Sequence, residues 1–283
     1  MEHGEGKRWY LNVKNYTKDF FGPLKERGKT PAIAHLENLY FQLAEIVMAW
    51  VNEKDPETAA RLKQFAEERY LTYGLHQVVT LEEVYSILDI ASPIVRYACP
   101  CERILRARPE EKRCFGFGMS LDFIREWPDF FRGGVEFLSK EEAKECMEKL
   151  DGQGYVHAVY IYKRPIVGGF CNCEAPSCYA IKISKERGWN FYKRSHYVAR
   201  IEDSKCSGCG GCIIRCQFGA LSYSPTLNRA VIDPWKCFGC GVCRAACENN
   251  AIELIPRESL PSLKDVWWYS LPEKAKGTHL NHP

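Results

Sequence analysis

The apolar positions in the first third of the chain recur every three or four residues after an irregular start. Residues 1–30 are polar and aromatic without a clear period, and we interpret them as an arm or docking segment. Thr30-Pro31 then supplies an N-cap and a first-turn proline, so the apolar stripe that follows predicts an amphipathic helix over 31–53. Such stripes are typical of helices that pack on a core.

Two more helices are predicted before residue 95. Pro56 begins one that Gly74 ends, and Thr80 with Glu83 forms a capping box for another that ends at Ser92-Pro93. The N-terminal part is therefore expected to be a helical scaffold.

Farther along the chain, the pattern of apolar residues predicts a helix and then a strand. Ser139 and Glu142 form a second capping box, for a helix that ends at Asp151-Gly152. Residues 155–162 are rich in β-branched and aromatic side chains and predict a strand, in which His157 should make a local hydrogen bond.

Two cysteine arrays near the C-terminus have the same spacing, C-x2-C-x2-C-x3-C. The first is Cys206, Cys209, Cys212 and Cys216, and the second is Cys237, Cys240, Cys243 and Cys247. This is the spacing of iron–sulfur ligands, in which the fourth cysteine of each array binds the other cluster. We therefore predict two [4Fe–4S] clusters, one held by Cys206, Cys209, Cys212 and Cys247 and one by Cys237, Cys240, Cys243 and Cys216. Zinc knuckles or disulfides are the alternatives, but zinc sites normally bring cysteines as separated C-x2-C pairs.

The arrays belong to a sequence repeat, because equivalent cysteines lie 31 positions apart (237 − 206). Residues 201–256 resemble the two-cluster bacterial ferredoxins, which implies a small sandwich of two hairpins and two short helices around two cubane clusters. One departure is the absence of the proline that usually follows each fourth cysteine: Gln217 and Glu248 stand there instead. The reduction potentials of that family therefore cannot be transferred.

Composition places the protein in a reducing compartment. The 283 residues are 46 % hydrophobic, and an odd count of 15 cysteines favours metal ligation and free thiols over disulfides. The sequence contains no run of 18 apolar residues and no apolar secretory stretch at its start, so we expect no membrane partner and a cytoplasmic location. The net charge of +3 omits the negative charge of thiolate-bound clusters and says little about partners.

The second cysteine-rich region lies upstream. It contains Cys99-Pro100-Cys101, Cys114, Cys171-Asn172-Cys173 and Cys178, while Cys146 falls on the apolar face of the predicted helix and is expected to be a buried core thiol. The order of these motifs before the arrays makes residues 96–256 similar to a group of larger dicluster iron–sulfur proteins from anaerobes.

The spacing of the C-x-C pairs favours a third iron–sulfur cluster. Cysteines at i and i+2 of an extended segment point to one face with Cα atoms about 6.6 Å apart, whereas two sulfurs on one zinc lie about 3.8 Å apart. We expect Cys99, Cys101, Cys171 and Cys173 as ligands, with Cys114 and Cys178 as substitutes. Zinc, a redox disulfide and unligated thiols remain as alternatives.

The expected architecture is α+β in five parts. These are an arm and helical scaffold (1–95), a cysteine-rich α/β region (96–180), a basic connector (181–200), a dicluster ferredoxin domain (201–256) and an aromatic tail (257–283). The connector interleaves basic and aromatic residues, which can bind single-stranded nucleic acid, but we interpret it as a solvated link and do not expect a nucleic-acid partner. The tail should pack across the body or onto a partner.

Nothing in the sequence predicts a catalytic acid, base or nucleophile, or a nucleotide-binding loop. The leading hypothesis is an iron–sulfur electron-transfer protein or subunit that docks to a partner oxidoreductase. The alternatives are a reductase with a catalytic third cluster and a redox or iron sensor. An enzyme activity of its own is left open.

Overall fold

The computed structural model describes residues 8–16, 56–61, 63–64, 76–102, 110–119, 121–126, 131, 133–163, 166–188 and 190–268. The helix predicted over 31–53 lies outside these ranges, and the described residues of 56–74 are helical. None of the helices within the described ranges is long and apolar enough to cross a membrane.

A mixed seven-stranded sheet forms the body of the molecule. Its strands are β1 (His76–Val78), β2 (Ile94–Tyr97), β3 (Cys114–Phe117), β4 (Val135–Leu138), β5 (Val156–Lys163), β6 (Ile166–Cys173) and β7 (Tyr192–Lys193). They lie in the order β4-β2-β3-β6-β5-β1-β7. Every pair is antiparallel except β1 with β7.

The helices that accompany the sheet are α1 (Leu81–Ile90), α2 (Leu121–Glu126), α3 (Lys140–Gln153) and α4 (Tyr179–Arg187). Both predicted capping boxes are present, at Thr80 for α1 and Ser139 for α3. The prediction that α3 ends at Asp151-Gly152 is short by one residue. Gly154 caps it instead, because its left-handed backbone (φ 92°) lets its N–H reach the carbonyls of Leu150 and Asp151.

The two faces of the sheet carry different layers. Phe170 and Val159 face a core formed with α1 and α3, whereas Cys173 and Ala158 face a second apolar layer shared with α4. Because side chains alternate along a strand, Cys171 and Cys173 both lie on the second face. The predicted strand histidine, His157, is buried and its Nδ1 lies 2.6 Å from the amide oxygen of Asn172.

A smaller C-terminal lobe follows the sheet. It consists of β8 (Tyr197–Ile201), α5 (Gly211–Arg215), β9 (Leu221–Ser224), β10 (Arg229–Ile232), α6 (Val242–Ala245) and β11 (Ile252–Pro256). The β9–β10 pair is a hairpin, but the second pair joins the first and last strands, β8 and β11, and not two consecutive ones. The lobe thus begins at Tyr197, four residues before the predicted boundary.

Two expected boundaries differ from the observed architecture. Residues 76–95 supply β1, α1 and the start of β2, so they belong to the sheet and not to a separate helical scaffold. The expected solvated connector is buried over 191–195, because β7 extends the main sheet beside β1 and its neighbours fill the adjacent core. The described start of the tail packs on the body, where the carbonyl of Trp267 accepts a hydrogen bond from the N–H of Arg194.

Candidate metal centres

The C-terminal lobe contains two small cavities, each lined by four array cysteines. We call them site one and site two. Cys206, Cys209, Cys212 and Cys247 line site one, and Cys216, Cys237, Cys240 and Cys243 line site two. Each site combines three cysteines of one array with the fourth of the other, because antiparallel pairing of the lobe's strands brings each array's end beside the other array's loop.

Backbone amides donate to the sulfur atoms in equivalent places. The N–H of Ala220 lies 3.2 Å from Cys216 Sγ, and the N–H of Ala251, 31 residues later, lies 3.3 Å from Cys247 Sγ. A third amide, from Ala199, donates to Cys237 at 3.4 Å. Such N–H groups stabilise thiolate and sulfide charge, so the donor set fits an iron–sulfur cluster.

The array loops approach neighbouring backbone closely at glycine. Gly239 has φ 69°, and a Cβ there would overlap the carbonyl oxygen of Tyr197. Its repeat equivalent, Gly208, has φ 75°, and a Cβ would come within 2.6 Å of the carbonyl oxygen of Asn228. Only glycine allows this conformation and this approach together.

Burial differs between the two sites. Cys237, Cys240 and Cys243 are buried, and burial raises the pKa of each thiol because the thiolate loses its hydration. In site one, Cys209 is exposed and Cys206 is half-buried. A metal centre that replaces the thiol protons brings positive charge and offsets the cost of burying thiolates. These buried cysteines therefore favour metal ligation over ionised, unligated thiolates.

Two buried guanidinium groups contact the carbonyl of Cys237. Arg194 Nη1 donates to it at 2.9 Å and Arg257 Nη2 at 3.1 Å. The remaining hydrogen bonds of Arg257 go to the carbonyls of Ser195 and Tyr197, and its Nη1 has no hydrogen-bond partner within the described residues. Burial lowers the pKa of Arg257 to about 10, which leaves it charged at neutral pH.

The six upstream cysteines of the sheet and its loops form one cluster, which we call the upstream thiol ring. Cys99, Cys101 and Cys114 pack in one apolar cluster and Cys171, Cys173 and Cys178 pack in another. The β3–β6 register joins the two groups, because it places Cys114 directly opposite Cys171. The four expected ligands and their two substitutes therefore lie together.

Cys146 belongs to neither set. The expectation of a buried core thiol is wrong in degree, because Cys146 is half-buried at the edge of the α3 stripe and its Sγ lies 3.5 Å from Arg96 Nη1. None of the fifteen cysteines, all of which lie in the described ranges, forms a disulfide.

Three functional neighbours were not identified from the sequence. His76 Nε2 lies 3.2 Å from Cys171 Sγ, and its ring stacks on Tyr192 at 5.7 Å between centroids. Arg113 is buried beside the ring, and Gln217 bonds the lobe to the sheet. Gln217 carried a signal, since it replaces an expected proline, but the contacts of His76 depend on long-range strand pairing that no local pattern shows.

The positions of the candidate ligand side chains argue against sites that hold a single metal ion. Within the described ranges, no three His, Cys, Asp or Glu side chains converge on one ion position. Four ligands of one zinc lie about 3.8 Å apart, whereas ligands of a polynuclear cluster are separated by several irons.

Residues 199–248 match the family model of the 4Fe-4S dicluster domain. No curated protein matches the chain. The matched residues contain both arrays completely but not β11, the strand that follows them. The C-terminal lobe therefore has the sequence of a ferredoxin-type 4Fe–4S domain, which supports at least one iron–sulfur cluster.

Proposed function

We propose that the protein is an iron–sulfur electron-transfer protein or subunit that passes single electrons through two [4Fe–4S] clusters to or from a partner redox enzyme. The observation that carries this proposal is the pair of four-cysteine cavities, each built from both arrays. Site one would be held by Cys206, Cys209, Cys212 and Cys247, and site two by Cys237, Cys240, Cys243 and Cys216. The bound clusters would supply reversible one-electron chemistry.

The protein residues control access and charge around that chemistry. Amide donors at Cys216, Cys237 and Cys247 stabilise charge on sulfur, and Arg194 and Arg257 add positive charge behind Cys237. Exposed Cys209 brings site one to the surface, where a partner protein can approach. We expect a cytoplasmic protein with a redox partner, similar to the larger dicluster proteins of anaerobes.

The ligand sets can be tested by four single variants. Cys209→Ala and Cys247→Ala should lose the same cluster, about four irons, and leave one identical residual electron paramagnetic resonance (EPR) signal. Cys240→Ala and Cys216→Ala should lose the other cluster and share the other residual signal. Cys146→Ala is the matched control and should keep the wild-type iron content.

Two results would contradict the proposal. If Cys216→Ala leaves the residual signal of Cys209→Ala, each array holds its own cluster. If none of the four variants loses iron, the lobe does not bind clusters through these residues.

The alternative functions give different results in the same preparation. An EPR signal that changes on addition of a small substrate would indicate a reductase, and cluster-dependent binding to DNA would indicate a sensor.

A further inference from the structure

We propose that the upstream thiol ring holds a third iron–sulfur centre that exchanges single electrons with site two. Metal binding by the ring stands on its own observations. The electronic connection to site two rests on the proposed function.

Strand pairing assembles the ring from four separate segments. Cys99 and Cys101 follow the end of β2, Cys114 begins β3, Cys171 and Cys173 end β6, and Cys178 precedes α4. Cys114 and Cys171 are direct cross-strand partners in the β3–β6 register. Opposed positions in an antiparallel pair have Cβ atoms about 5 Å apart, so these two sulfurs are fixed by the sheet itself.

Buried Arg113 fixes the loops that carry the other sulfurs. It pairs with Glu102, which follows Cys101, and its Nη1 lies 3.4 Å from the carboxylate of Glu174, which follows Cys173. Its Nη2 also lies 3.4 Å from Ser177 Oγ, next to Cys178. One guanidinium, next to Cys114, therefore joins the two other thiol-bearing loops, as expected of a residue that positions ligands.

A metal cluster explains this concentration of thiols better than the alternatives. Four of the six thiols are buried, namely Cys99, Cys114, Cys173 and Cys178. A structural zinc uses four ligands drawn around one ion, and no such convergence is present among the described residues. The six thiols come from four segments and outnumber the four ligands that one zinc takes, so a centre with several irons accounts for more of them.

The ring and site two share one apolar layer. Cys173 and Cys178 belong to the same buried cluster as Cys240, together with Phe218 and Phe238. The two phenylalanine rings stack with centroids 3.9 Å apart. The two groups of sulfur atoms therefore border the same buried apolar cluster, a medium that suits electron transfer.

A side-chain bond holds the two groups in place. Gln217, next to Cys216, accepts a hydrogen bond at 3.0 Å from the N–H of Ala175, which lies between Cys173 and Cys178. With clusters bound, transfer of one electron from site two to the third centre would oxidise the first by one unit and reduce the second by one. A reduced iron–sulfur or flavin protein would supply that electron through site one.

The test is metal and sulfide analysis of a Cys171→Ala/Cys173→Ala double variant beside Cys146→Ala. We expect the double variant to lose at least two irons with an equal amount of acid-labile sulfide, while both signals of the array clusters remain. The control should lose neither. Loss of one zinc per chain, or no loss of metal, would overturn the proposal.

The wild-type protein provides a measurement that does not depend on folding of the variant. Reductive titration should require more than two electrons per chain, and His76→Asn should shift the midpoint potential of the extra centre alone. A titration that ends at two electrons with about eight irons would overturn the third centre. Failure of the proposed function would appear differently, as array variants that keep all their iron.

Discussion

Arg257 places a positive charge next to site two, and no ion pair with a carboxylate is present among the described residues. The hydrogen bonds of its guanidinium go to three backbone carbonyls, one of them that of Cys237. A buried charge of this kind is costly unless something anionic compensates for it. A reduced iron–sulfur cluster is more negative than an oxidised one, so Arg257 should stabilise the reduced state of site two.

We predict that Arg257→Gln lowers the midpoint potential of the site two cluster by on the order of 60 mV, a tenfold change in a one-electron equilibrium. The site one potential should stay unchanged. Arg200→Gln is the matched control, because Arg200 is exposed and pairs with Glu253 on the surface. Equal shifts of both clusters in a potentiometric EPR titration would contradict the assignment.

His196 lies where three segments meet. Its ring packs edge-on against Trp267 at 5.1 Å and lies 6.1 Å from the ring of Tyr10. Burial, with a smaller contribution from the positive charges of Arg8, Lys193 and Arg257, lowers its pKa to about 4. The neutral imidazole is therefore the form that the folded protein favours.

This pKa shift predicts a pH dependence of stability. Between pH 6.5 and 4 the unfolded chain binds a proton at His196 that the folded chain does not, so the free energy of unfolding falls as pH decreases. The slope from this residue is at most about 1.4 kcal/mol per pH unit. Denaturant unfolding of His196→Gln should show a smaller loss between pH 7 and 5 than wild type, and an equal loss would exclude His196 as its source.

Gln217 joins the lobe to the sheet at the level of whole elements. Its side-chain oxygen accepts from Ala175, and its Nε2 donates to the carbonyl of Gly154 at 3.2 Å, at the end of α3. Lys185 of α4 donates to the Gln217 carbonyl at 2.9 Å. Proline at this position would lack both side-chain bonds, which gives a physical reason for the departure from the ferredoxin pattern.

We predict that Gln217→Ala destabilises the protein by about 1–3 kcal/mol, since two part-buried backbone groups lose their partners. Glu248→Ala is the matched control, because it is the equivalent position of the repeat and is exposed. Its free energy of unfolding should stay within about 0.5 kcal/mol of wild type. Equal effects of the two substitutions would show that the bonds of Gln217 do not couple the lobe to the sheet.

Local signals predicted the elements more completely than their arrangement. The capping boxes at Thr80 and Ser139 are confirmed, because each depends on residues three positions apart. The order β4-β2-β3-β6-β5-β1-β7 was not predicted, since it depends on pairings between distant segments. The burial of Tyr192 and Lys193 follows from one such pairing, with β1, that neither residue type indicates.

In the candidate sites, too, local sequence signals predicted some residues, and the others depended on contacts between distant segments. The spacing within each array indicated which cysteines belong together, and the observed cavities group them in the same sets. The upstream cysteines were grouped in part, from their C-x-C spacing. The contribution of Cys114 required the β3–β6 register, and that of Arg113 required the positions of two other loops.

At the scale of the whole molecule, burial of the cysteine groups increases from site one to site two and the upstream thiol ring. Cys209 of site one is exposed, Cys237, Cys240 and Cys243 of site two are buried, and the upstream thiol ring shares a buried layer with site two. Solvent thus reaches site one most directly. The sheet and α4 enclose the other end of the series.

This gradient predicts different sensitivity to oxidants. Under the proposed function, Cys240→Ala retains the cluster of site one and Cys209→Ala retains that of site two. Oxidant reaches a cluster through its exposed ligands, so the cluster in Cys240→Ala should lose iron several times faster under ferricyanide than the cluster in Cys209→Ala. Iron release followed over time by EPR and a colorimetric chelator measures both rates, with Cys146→Ala as the reference. If the two rates are equal, site one is not the more accessible centre, and the direction of electron entry through Cys209 would have to be abandoned.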